Sequence, residues 1–313
     1  MTSSVRNYSE NLKADPTRFR NLTIFPLIEE TGTQPDYLTL DEALAAKAAK
    51  ITEVGSGGSV PELRFINESG KRVFLLDGEE VIGAKQNRVF NVSIMAPAGN
   101  TIILPVSCVE AGRWSHRSAE FASAPRSMYA EGRASKMAYV TENMKASGRK
   151  ASNQGAVWDD IRAKFGKFAT SSPTSAMSDL YSQQSVRLED YVRSFTPLPD
   201  QIGAVFAMDG EIIGLELFDS AETFRKLFPK LVRSYGLDAL SSRGGETPDT
   251  PVPSKAAVAD FLKSVANAKV STFAGVGEGE DLRLEAEGLT GAALAVDDRI
   301  VHLSAFRMPN IRN

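Results

Sequence analysis

Between Leu76 and Trp114 the chain crowds charged and amide side chains between apolar runs: Asp77, Glu79, Glu80, Lys85, Gln86, Asn87, Arg88 and Asn91, followed by Glu110, Arg113 and Trp114. Gly78 and Gly83 permit tight backbone approach within the same stretch. The carboxylates Asp77, Glu79, Glu80 and Glu110 are the residue types for general acid or base work, or for oxygen ligation of magnesium, and we assign them the catalytic role. Lys85, Arg88 and Arg113 suit a phosphate or carboxylate, with arginine offering a fork to two oxygens. Gln86, Asn87 and Asn91 join them as ligand-binding residues, and Trp114 can stack a base or cover a pocket. Together these tools suit a phosphorylated, ribose-bearing small molecule. The plain alternative is a salt-bridged hairpin that merely orders itself, since structural ion pairs crowd charges too.

Other chemistries find less support. Cys108 starts Cys-Val-Glu-Ala-Gly-Arg, which places Arg113 one residue too early for an anion-encircling C-x5-R loop, so it reads as a small buried core residue. His116 and His302 are the two histidines and share no metal-ligand spacing, which argues against zinc; no metal ligand is assigned and no cofactor is named. His116 reads as a loop residue beside the candidate site and His302 as a structural residue in an alternating strand. Gly275–Leu282 is glycine-rich but acidic and precedes no helix, so it is not a phosphate loop. No G-x-S-x-G nucleophile elbow occurs.

The elements that must position these residues follow from periodicity. The chain has 313 residues, 42% hydrophobic and 24% charged, a globular balance with room for a large core. Asn21–Glu30 has the apolar density of an opening strand, after a polar first twenty residues expected to fray. Thr39 is placed to cap a helix running through the alanine-rich segment to Ile51. From Leu63 to Val109, short runs rich in Val, Ile and Phe alternate with turn sequences, which predicts an antiparallel sheet with a sandwich as one arrangement. Residues 115–155 show no clean period and more basic than acidic groups, and are expected to form a long loop or flexible flap with some helix in it. Helices are predicted over 156–169 and 172–195, with Pro173 near the first turn of the second. A hairpin turning at Asp209-Gly210, a helix capped by Ser220, an exposed loop over 241–254, a helix from Lys255 and two strands around Asp297-Asp298 complete the chain. The fold class is α+β: an antiparallel, strand-rich N-terminal half and a helix-plus-hairpin C-terminal half. Its expected parts are a strand-rich region over 21–114, the flap over 115–155 and an α+β region over 156–313.

The segments "DGEEVIGAKQNR" and "PVSCVEAGRW", with "QIGAVFAMDGEIIGLELFDS" and "VHLSAF" further on, resemble the ARG and Rhodanese-Phosphatase-superfamily-associated protein domain. The resemblance covers most of the chain beyond about Phe25. It implies a role near ADP-ribose or nucleotide metabolism through association with ADP-ribosylglycohydrolases and rhodanese-like phosphatases, and it transfers no catalytic residue. The expectation is a small-molecule-handling protein, an enzyme acting on a nucleotide or ADP-ribose-type phosphorylated ligand. Its alternatives are a non-catalytic sensor signalling through the flap, and a structural protein assembling as a homo-oligomer. A net charge of -3 gives no reason to expect nucleic acid or an anionic membrane as partner. A single cysteine, no secretory signal and no apolar run of membrane-spanning length point to a soluble, cytoplasmic chain.

Overall fold

The structure, a computed structural model, describes residues 14–29, 34–55, 57–242 and 251–308. The strands in chain order are β1 (Thr17–Phe19), β2 (Leu22–Ile28), β3 (Tyr37–Thr39), β4 (Ala49–Glu53), β5 (Glu62–Asn67), β6 (Arg72–Leu75), β7 (Glu79–Gly83), β8 (Arg88–Phe90) and β9 (Ile94–Ala96). They continue with β10 (Thr101–Cys108), β11 (Phe121–Ser127), β12 (Gln201–Met208), β13 (Glu211–Phe218), β14 (Lys269–Ala274), β15 (Glu280–Ala286), β16 (Leu289–Val296) and β17 (Arg299–Arg307). The helices are α1 (Leu40–Ala45), α2 (Ala130–Ser147), α3 (Gln154–Lys167), α4 (Met177–Gln183), α5 (Ser185–Ser194), α6 (Ala221–Ser241) and α7 (Lys255–Ala266). The chain is therefore α+β with mostly antiparallel pairing. Among the described residues no helix is long and apolar enough to cross a membrane.

An eight-stranded sheet runs β1-β2-β12-β13-β17-β16-β15-β14. Its centre is buried on both faces, which is why β12 reads as a nearly continuous apolar run. Ala204 and Phe206 enter the core shared with α2, α3 and α6, while Val205 and Ala207 enter a second core closed by Val258, Phe261 and Leu262 of α7. Type I′ geometry at Asp209 (φ 53°) and Gly210 (φ 85°) turns the β12–β13 hairpin at the expected dipeptide. A six-stranded sheet, β11-β7-β8-β10-β5-β4, and a small sheet, β3-β6-β9, share a third core with α1 and the C-terminal half of α2.

Several expectations need correction. β2 pairs with β12 over the full length of the hairpin strand, so an opening strand of the N-terminal region is structurally part of the C-terminal sheet. The alanine-rich helix stops at Ala45, because Lys47 adopts a left-handed φ of 54° and the next residues pair with β5 as β4. Thr39 does cap it, in a capping box with Glu42. Residues 115–155, expected as a loop or flap with some helix, hold the strand β11 and an 18-residue helix, α2, packed into two cores. Pro173 precedes a pair of shorter helices rather than entering one long one. Of the polar N-terminus and the 241–254 loop, residues 1–13 and 243–250 lie outside the described residues.

Candidate functional site

The polar motif begins in the tight turn between β6 and β7. Gly78 sits there at φ 77°, and a side chain on it would collide with the Arg133 side chain packed across the turn. Asp77, buried, forms an ion pair with Lys136 of α2 and lies 3.6 Å from Arg133 Nε. Arg133 Nη1 donates to Glu216 Oε1 at 2.5 Å, and His302 Nε2 lies 3.1 Å from Glu216 Oε2. Ser93 Oγ accepts from the Asp77 amide at 3.0 Å and sits 2.9 Å from His302 Nδ1, which closes a ring of buried polar groups. Ionised Glu216 can only accept, so His302 carries a proton on Nε2 and donates it to Glu216, with Nδ1 facing the Ser93 hydroxyl. Burial pushes the Asp77 and Glu216 carboxyls up, but Lys136 and Arg133 beside the first and Arg133 and His302 beside the second outweigh it, and both lie below the usual carboxylate range.

The next two carboxylates diverge. Glu79 pairs with Lys230 of α6 at 2.5 Å, and Glu80 pairs with Arg126 of β11. They are adjacent on a strand and so point to opposite faces. Burial raises both, further than their partners can offset. The fourth, Glu110, holds Arg113 Nη2 at 2.6 Å and accepts from Asn87 N at 3.2 Å and Thr174 Oγ1 at 3.0 Å. Burial lifts Glu110, but the hydrogen bonds from Arg113, the Asn87 amide and Thr174, with the Arg113 charge, together outweigh it and hold the carboxyl below the usual range. The four assigned acids are thus buried and separately paired, and they do not share a cavity.

A second cluster gathers most of the residues assigned to ligand binding. Arg113 is engaged through both terminal nitrogens: it also donates to Ala84 O, Ser115 O and Asn87 Oδ1, while its Nε meets no acceptor among the described residues. Gln86 spans the strand to Glu110 O. Arg88, on β8, is fully buried, yet no carboxylate among the described residues lies in salt-bridge range of it. Its Nη1 donates to Gln86 Oε1 at 3.0 Å and to Asn87 O at 3.3 Å, while Nε and Nη2 meet no protein acceptor. Glu53 and Glu110 act on it only through space, and burial lowers its pKa. Cys108 Sγ donates to Gln86 Oε1 at 3.1 Å, with the Trp158 indole beside the sulfur, and burial pushes the thiol up. The Trp114 ring, about half exposed, roofs this cluster: its centroid is 5.7 Å from the Arg88 guanidinium carbon and 5.1 Å from Lys85 Nζ. A shallow groove holding His116 and Arg117 on one side and Thr52 and Glu53 on the other opens along the same loop.

The structure therefore brings together Lys85, Gln86, Asn87, Arg88, Glu110, Arg113 and Trp114. Asp77, Glu79 and Glu80 face other partners, and Asn91 bridges Ser107 and Lys150 O instead. Arg133, Lys136, Lys230, Arg126 and Glu216, which complete the buried pairs, were not singled out by sequence. A signal for two of them exists: Ala130, Ala134, Met137, Thr141 and Met144 recur at helical spacing, and Arg133 and Lys136 fall inside that buried face. Among the described residues no three His, Cys, Asp or Glu side chains group as metal ligands.

No curated protein and no solved structure matches this sequence. The family model that does match extends over residues 13–306, from before β1 to within β17, and so includes every strand and helix that builds the cluster around Arg88. The chain belongs to the family described as the ARG and Rhodanese-Phosphatase-superfamily-associated Protein domain, ARPP-1.

Proposed function

We propose that this protein handles a small anionic ligand whose phosphate or carboxylate group pairs with Arg88 once the Trp114 loop swings aside. The observation that carries the reading is a fully buried guanidinium with two donor atoms lacking a protein acceptor. Burying an unpaired charge costs several kcal/mol, so folds retain such groups mainly where a ligand supplies the missing partner. Trp114 adds a stacking surface at the mouth, and Lys85 and Arg117 add positive charge nearby. A nucleotide or ADP-ribose-type ligand matches that set of tools, with phosphate on Arg88 and a base on Trp114. The family's association by name with ARG and rhodanese-phosphatase proteins is consistent with this ligand class.

The four carboxylates are engaged by cations, which favours binding over turnover, and Glu110 in particular is held too acidic for a strong base. The test is thermal unfolding of the full chain with inorganic phosphate, ADP, NAD and ADP-ribose. A binder at about a hundred times its Kd adds about 2.7 kcal/mol of stability. Arg88→Met should abolish the shift, and Trp114→Ala should weaken the base-bearing ligands while leaving phosphate unaffected. If no compound shifts the transition, or if Arg88→Met still binds, the reading fails. Chromatography of any binder after incubation separates an enzyme from a sensor.

A further inference from the structure

A cavity of about 480 Å³ lies far from the polar motif in sequence, between α2, α3, the C-terminal end of α6 and the ends of β12, β13 and β17. Its size is that of a small-molecule pocket. Met208, Ile213, Phe306 and Met308 give it an apolar wall. The charges on the remaining wall do not cancel. Lys164, buried, is clamped between Asp238 Oδ1 at 2.5 Å and Glu131 Oε2 at 2.6 Å, and its ammonium lies 4.6 Å from the Tyr129 ring centroid. Lys167 pairs with Glu131 as well. Arg307 stacks on Phe261, which belongs to the core on the opposite face of the large sheet, so its charge is directed away. Three carboxylates, Glu131, Asp160 and Asp238, thus face two ammonium groups, Lys164 and Lys167.

The unbalanced member is Asp160. It is half-buried, Ser135 on the facing helix hydrogen-bonds it, and no cation among the described residues reaches salt-bridge distance. Burial raises its pKa, as expected of a carboxylate facing an apolar wall without a counter-ion.

We propose that this cavity is a binding site for an organic cation, an ammonium group on an apolar or aromatic body, with the ammonium on Asp160 and the body against Met208, Phe306 and Met308. It is independent of the anion site at Arg88 and of opposite charge preference. An anionic ligand would meet three carboxylates and two ammonium groups already committed to them.

The test is calorimetric titration of the full chain with three probes sharing one ring: tryptamine, tryptophol and indole-3-propionate. The ammonium probe should bind about tenfold or more tightly than the neutral alcohol, the worth of one charge-assisted hydrogen bond, and the acid more weakly still. Asp160→Asn should bring the ammonium probe down to the affinity of the alcohol without changing the alcohol. Ala163→Trp, on the exposed rim of α3, should block all three, and Arg88→Met should block none. The proposal is overturned if the acid binds as well as the amine, if Asp160→Asn leaves the amine unchanged, or if no probe binds.

Discussion

Replacing Arg88 by methionine separates a ligand-anchoring role from a structural one, because the two predict opposite signs. The long apolar side chain fills the space of the arginine's aliphatic stem and removes the charge. What the fold loses is two hydrogen bonds from Nη1, at 3.0 Å and 3.3 Å, each about 1.5–3 kcal/mol at most for a charged donor and less at the longer distance. Neither acceptor is orphaned. Gln86 Oε1 still accepts from the Cys108 thiol, and Asn87 O still accepts from the Val109 amide at 3.1 Å. What the fold gains is relief from burying a guanidinium with no counter-ion, several kcal/mol in proteins. The balance falls between no change and about 2 kcal/mol of added stability.

Arg133→Met is the matched control. That guanidinium is equally buried, but its loss strips a partner from both Glu216 and Asp77. Breaking a buried pair on one side costs about 3–5 kcal/mol. Urea unfolding, followed by the fluorescence of Trp114 and Trp158, the chain's two tryptophans, should show the two variants shifting apart by about 1 M or more in midpoint. If Arg88→Met loses as much as Arg133→Met, the guanidinium is a structural brace and the argument for an anion site collapses.

Glu216 is held below its unfolded value, so its ionised form stabilises the fold above about pH 4 and that contribution is lost as pH falls through the lower folded pKa. Glu216→Gln should therefore lower stability at pH 7 and flatten the acid limb of the urea midpoint between pH 5 and 3, on the order of those carboxylate pKa values; an unchanged slope would remove Glu216 from the acid response. Thr39→Ala, which removes the capping box of α1, should cost about 1 kcal/mol, read as a lower urea midpoint with the slope unchanged. A side chain on Gly277 would run into the Met95 carbonyl where β9 meets the 275–279 turn, so Gly277→Ala should cost about 1–3 kcal/mol in the same assay, whereas Gly99→Ala meets open space and costs only the strain of its φ of 64°.

Local rules carried much of the fold. The I′ turn at Asp209-Gly210, the Ser220 and Thr39 caps and the strand runs of 63–109 are each set by a few neighbouring residues, and each is where those residues put it. Pairing between distant strands is not local, so nothing in Leu22–Ile28 announces that its partner is Gln201–Met208. That the helix in 115–155 is long and packed, and not a short piece of a flap, is hidden in the sequence for a specific reason. The buried face of α2 is built from Ala130, Ala134 and Thr141 as well as methionines, and Arg133 and Lys136 sit on that same face. Small residues and buried cations together hide the apolar stripe by which an amphipathic helix is recognised. The site was half legible for a similar reason. Charge density located the buried cluster, but which acid meets which cation depends on α2, α6 and β11 arriving from later in the chain.

Those partners explain what the motif does. Asp77 holds α2 through Lys136, Glu79 holds α6 through Lys230, Glu80 holds β11 through Arg126, and Glu110 holds its own loop through Arg113. Four acids from one short stretch thus tie four separate pieces of chain to one hub. Burial makes a wrong pairing costly, because each misplaced element would leave a desolvated carboxylate unmatched. The same bookkeeping isolates Arg88. Each acid in the stretch has its cation, and among the described residues Arg88 is its fully buried guanidinium with no acid in salt-bridge range, under the same surface aromatic ring as Lys85. A hub that satisfied only itself would gain by carrying methionine there. Keeping a guanidinium makes physical sense where negative charge arrives from outside the chain.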